Sequence, residues 1–107
     1  MNAERQEEMP LACVMDAIPA NERAAHVALI AHLFGELASE IQELPEGYAF
    51  RFAARDLESV AAFVANERKC CPFLTFELTV HPVEGPVWLR LSGPPGTRDF
   101  LAAELPI

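Results

Sequence analysis

The sequence predicts an α+β fold: a small antiparallel or mixed sheet of three strands with helices packed on one face. The expected order is helix, strand, helix, strand, strand, helix. Three observations carry this. Val27, Ile30, Phe34, Leu37 and Ile41 recur at three- and four-residue steps, the stripe of an amphipathic helix. Residues 48–53, 75–81 and 87–92 alternate apolar with polar, the period of half-buried strands. Runs such as Leu44-Pro45-Glu46-Gly47 and Gly93-Pro94-Pro95-Gly96 punctuate the chain between the periodic segments.

Each element follows in turn. Residues 1–10 read as a flexible acidic tail (Glu4, Glu7, Glu8) that closes at Pro10, and 11–107 as a single α+β domain. The short apolar run 11–15 contains Cys13 and suits an extended segment or an edge strand, which would be the fourth of the sheet. A first helix is expected from about 19–21 to 43, with Pro19 at an early helical position or Asn21 as its cap. Gly35 inside it costs roughly 1 kcal/mol against alanine, which points to close packing there. In the next strand Tyr48, Phe50 and Phe52 share one face.

Asp56 is the expected cap of a second helix, with Glu58 near its positive end. Leu57, Val60, Ala61, Val64 and Cys71 fall on one face of it, and Phe63, Glu67 and Cys70 on the neighbouring face. Pro72 disfavours helical geometry in Cys71 and ends the helix. Phe76, Leu78 and Val80, then Val87, Leu89 and Leu91, face inward on a hairpin. Glu77 and Arg90 should pair across its outer face, worth at most about 1 kcal/mol. Thr97 is expected to cap a last helix, 98–105, whose Phe100, Leu101 and Leu105 reach the core.

The totals exclude several classes. A chain of 107 residues, 51% hydrophobic, suits one core and is too apolar for disorder. The most apolar stretch, 24–37, is interrupted by His26, His32, Gly35 and Glu36, so no membrane span is expected. Residues 1–8 lack a basic start followed by an apolar block, so the expected location is cytoplasmic. Eight basic residues face sixteen acidic ones, a net charge of -8 that repels nucleic acid. Arg51, Arg55, Arg68 and Lys69 are the nearest approach to a basic patch. An odd count of three cysteines in a reducing compartment does not suggest a disulfide framework.

Chemistry concentrates at Cys70 and Cys71, adjacent at a helix end, with Cys13 as the only other thiol. Arg68 and Lys69 favour the thiolate, while the negative helix terminus opposes it. Adjacent alpha carbons stand about 3.8 Å apart, closer than the roughly 4.4–6.8 Å that ordinary disulfides span. Cys13 is therefore the better partner for either. A three-thiolate site is the other geometry, suited to soft ions such as zinc or mercury. His26 borders the first helical stripe and Glu67 lies one turn before the pair, so both are accessory ligands or proton carriers. Plainer roles compete: cysteines often only pack, Glu67 would commonly pair with Arg68 or Arg51 at the surface, and a boundary histidine is usually structural. His32 should be solvated, and His81 has no assigned role. Trp88 points away from the Val87-Leu89-Leu91 face, which suggests cover by a helix or a homodimer contact.

The run Glu67, Arg68, Cys70, Cys71, Pro72, Phe73, Phe76, followed by Trp88, Leu89, Leu91, Gly93 and Pro94 and preceded by Cys13, resembles a small bacterial family of about this length. That family has no established activity. The resemblance implies that Cys13 belongs with the pair and implies no particular reaction. The leading expectation is a cytoplasmic thiol-site domain. It would bind a soft metal or metalloid ion, or act in thiol redox chemistry, through Cys13, Cys70 and Cys71. The alternative is a dimeric small-molecule-binding or protein-interaction domain whose cysteines only pack.

Overall fold

A computed structural model describes residues 11–107; the acidic tail expected at 1–10 lies outside them. Two single 3-10 turns, Met15–Ala17 and Ala20–Glu22, lead into helix α1, Arg23–His32, which continues as a wider π turn over Leu33–Leu37. Strands β1 (Glu40–Leu44) and β2 (Gly47–Phe52) follow. A short turn, Ala54–Asp56, opens helix α2, Leu57–Cys70. Strands β3 (Thr75–Val80) and β4 (Val87–Ser92) form the hairpin, and helix α3, Thr97–Glu104, comes last. The α+β class and the order of the expected elements are those read from the sequence.

The sheet has four strands in the order β1-β2-β4-β3, every neighbouring pair antiparallel. Both β2 and β3 run antiparallel to β4, so they are parallel to each other with β4 inserted between them. The connection β2–α2–β3 is a split strand–helix–strand unit. Its aligned inner rows, Phe50 beside Leu89 and Phe52 beside Val87, are fully buried. Phe34 from the π turn meets Phe50 and Phe63 edge-on, at centroid distances of 4.7 and 4.9 Å. These aromatics anchor α1 and α2 to the same face of the sheet.

The fourth strand is not the 11–15 run; it is Glu40–Leu44, inside the stretch expected to be helical. The Ala38 amide donates to the Leu33 carbonyl at 2.9 Å, which closes the π turn and ends the helix. From there the chain extends, and the Ser39 amide donates to the Arg51 carbonyl at 2.8 Å. Ile41 continued the helical stripe only by coincidence of spacing, and it is exposed. Glu40 and Glu43 place charge on what is an edge strand, a usual protection against further pairing.

Other expectations shift by a residue or two. The buried side of α1 carries His26, and Val27 of the expected stripe faces out. Asp56 occupies the N-cap of α2 without a side-chain cap bond. Thr97 is the first residue of α3, its hydroxyl donating to the Pro94 carbonyl at 2.6 Å. The exposed amides of that helix are met from a distance: Glu46 Oε1 accepts from Gly96 N at 3.0 Å and Arg98 N at 3.4 Å. Gly96 itself has φ +98°, a backbone region that favours glycine. Trp88 alternates out of the inner face as expected and is half-buried, in register with Arg51 on one side and Thr79 on the other. Arg90 and Glu77 make the expected cross-strand contact, at 3.6 Å.

Candidate functional site

The site begins with the end of α2. Pro72 cannot follow a helical residue without a clash, and Cys71 accordingly leaves helical geometry at φ −120°, ψ 76°. Cys70 is the last helical residue. Two adjacent side chains that would diverge on a continuous helix therefore turn together, and their sulfurs stand 3.7 Å apart.

A helix end also leaves carbonyls without intrahelical partners. One of these, on Cys70, accepts the Val14 amide at 2.7 Å. That single bond ties the chain's early segment to the helix end, and it delivers the neighbouring Cys13. The side chain of Cys13 meets Cys71 across a cross-link with alpha carbons 4.7 Å apart, and Cys70 is the free cysteine among the described residues. The geometry of adjacent residues makes Cys13 the better disulfide partner, as found, whereas the odd cysteine count speaks against a disulfide framework. Folding overrides that argument by placing Cys13 within bonding distance of one member of the pair and leaving the third thiol over.

Glu67 sits one turn back on the inner side of α2 and is buried, not paired with Arg68 or Arg51 at the surface. Its Oε1 accepts from His26 Nε2 at 2.8 Å, joining α1 to α2. Its Oε2 lies 3.2 Å from Cys71 Sγ, a hydrogen bond whenever that sulfur is a thiol. Cys70 Sγ is 3.7 Å from Oε1 and 3.5 Å from the Glu67 carbonyl. His26 stacks on Phe63, at 5.7 Å between centroids and 10° between planes. Its Nδ1 is buried with no partner among the described residues.

The electrostatic balance differs from what flanking charges suggest. Arg68 and Lys69 are exposed to solvent. Burial, and then the Glu67 carboxylate and its hydrogen bond, push the Cys70 thiol from its ordinary 9.0 up to about 12. Cys70 is thus a neutral thiol across the physiological range, and not an activated nucleophile.

Ligand atoms of Cys13, Glu67, Cys70 and Cys71 all lie within 4.8 Å of one another. Three thiols and a carboxylate in that space form a donor set for a soft cation. His26 is outside this group and reaches it only through Glu67. His32 is exposed and meets Glu36 at 3.2 Å, and His81 is exposed.

The cluster forms one side of a cavity of about 300 Å³ lined by Cys13, Met15, Val27, Ile30, Glu67, Cys70, Glu104 and Leu105. Met15 and Glu104 carry no signal in the sequence that ties them to the thiols, and Leu105 is expected there only as a core residue, because they come from opposite ends of the chain. A larger depression of about 570 Å³, bordered by Arg51, Arg55, Asp56 and Glu84, has no thiol or imidazole in its lining. The smaller cavity is where the reactive side chains are. No protein-family model, curated protein or solved structure matches the chain.

Proposed function

We propose that this protein is a thiol-site domain that, with its cysteines reduced, holds one soft metal or metalloid ion through Cys13, Cys70 and Cys71. Zinc and mercury are the ions whose preference for sulfur suits the set. Glu67 is the fourth donor or the acceptor for thiol protons, and His26 orients it. The observation that carries the reading is the convergence of four ligand atoms within 4.8 Å. The proposed setting is the cytoplasm, where a reducing poise keeps the thiol form available.

The test is a titration of the reduced protein with Zn(II) or Hg(II), followed by thiolate-to-metal absorption and by counting reactive thiols. One ion per chain is expected, with near-complete protection of Cys13, the partly exposed thiol of the set. Glu67→Gln should weaken binding about 10–100-fold, as loss of a supporting carboxylate does, and each cysteine-to-serine change should weaken it more. No thiolate-to-metal absorption, with Cys13 reacting at the same rate with and without ion, would end the reading.

The Cys13–Cys71 cross-link favours a second reading, thiol redox exchange at the same sulfurs. There the two thiols lose two protons and two electrons as their bond forms, and a disulfide acceptor takes up both as two thiols. Metal binding and disulfide formation then exclude each other, since both consume Cys13 and Cys71.

A further inference from the structure

The cavity over the thiols is lined largely by hydrocarbon. Met15, Val27, Ile30 and Leu105 contribute to its wall, beside Cys13, Cys70, Glu67 and Glu104. A bare ion has no use for such a wall, because apolar surface cannot replace the water that a charged ligand gives up. Val27 sharpens the point. It is 55% exposed, so it does not serve the core, yet it borders the cavity. A volume of about 300 Å³ is at the small end of ligand pockets and admits a substituent of a few carbons.

Sulfur donors and an apolar wall are both satisfied by a molecule with one soft centre and one hydrocarbon group. We propose that the ligand class of this site is a mono-organo derivative of a soft element, R–M, such as a trivalent organoarsenical. The soft atom bonds to Cys13 and Cys70, the two cysteines that line the cavity, and R lies against Met15, Val27, Ile30 and Leu105. This rests on the thiol-site reading and specifies its ligand.

For an arsenic(III) oxide the step balances without any change of oxidation state. R–As=O reacts with the thiols of Cys13 and Cys70. The arsenic–oxygen bond breaks, two arsenic–sulfur bonds form, and the two thiol protons leave with the oxygen as one water. Cys13 enters as a thiol after an external dithiol or phosphine has supplied two electrons to the Cys13–Cys71 bond. The product is neutral, which suits a site floored by buried side chains.

The experiment uses the full chain reduced with a phosphine. Phenylarsine oxide, arsenite and Zn(II) are each titrated in competition with dithiothreitol. The phenyl compound should be held at least about ten-fold better than arsenite, the gain expected from burying part of a ring. Val27→Asn lies on an exposed position, adds no charge beside the thiols, and should remove about that factor for the phenyl compound with a much smaller effect on arsenite and Zn(II). Cys71→Ser cannot form the disulfide. It should retain the phenyl compound, through the remaining two thiols, and lose affinity for Zn(II). Equal affinity for phenylarsine oxide and arsenite, or a Val27→Asn effect of the same size for all three probes, overturns this inference and leaves the thiol site standing. Failure of every probe to bind overturns both.

Discussion

At the scale of single residues, Cys70 shows how environment decides reactivity. Its neighbours in sequence, Arg68 and Lys69, would lower its pKa. Its neighbours in space, a dry interior and the Glu67 carboxylate, raise it to about 12. The native protein at pH 8 is therefore expected to leave Cys70 unalkylated by iodoacetamide until urea unfolds it; complete labelling within minutes would contradict this. The same shift has a consequence for stability. The folded state keeps the Cys70 proton at pH values where the unfolded chain releases it. This group's contribution is thus fully present below pH 9.0 and is lost as pH rises toward about 12. Cys70→Ala should flatten that alkaline limb in denaturation measured against pH, and an unchanged limb would assign it to other groups.

Between elements, the bond from His26 to Glu67 is a buried polar link of α1 to α2. It is 2.8 Å long, with both side chains buried. Removing one partner strands the other in a low dielectric, which costs more than the pair itself contributes. His26→Ala is expected to lower stability by about 3 kcal/mol in urea unfolding, with His26→Gln, which keeps a donor, losing much less. Equal losses for the two variants would show that packing on Phe63, and not the bond to Glu67, is what His26 supplies. The aromatic group of Phe34, Phe50, Phe52 and Phe63 fixes how the helices sit on the sheet. That placement in turn points Glu67 and Cys70 toward the end of α2 where Cys13 arrives.

For the whole molecule, the Cys13–Cys71 link closes a separation of 58 residues. Restricting an unfolded chain over that span stabilises the fold by about 4 kcal/mol in the chain-entropy account. Reduced wild type and Cys13→Ser should therefore unfold at similar, lower urea concentrations, and oxidised wild type well above both. Zn(II) at about a hundred times its Kd should restore about 2.7 kcal/mol to reduced wild type and little to Cys13→Ser. The same restoration in Cys13→Ser would place the ion elsewhere. No helix among the described residues is long and apolar enough to cross a membrane. The polar breaks in the 24–37 stretch had led to the same expectation.

Local pattern alone determined the α+β class, the periods of β2, α2 and β4, and the helix stop at Pro72, because alternation and proline act over a few residues; β3 is a strand as expected, but its Leu78 and Val80, expected inward, are exposed. Pattern also singled out Cys13, Glu67, Cys70, Cys71 and His26 by residue type. Tertiary structure decided the rest. Strand β1 replaced the end of the expected helix because pairing with β2 outweighs a stripe that Ile41 merely continued. Glu67 became a buried bridge because α1 presents His26 to it and not Val27. The early cysteine met the pair because the carbonyl of Cys70 accepts the amide of Val14. These are contacts between residues far apart in the chain, and no periodicity encodes which of them a compact fold will bring together.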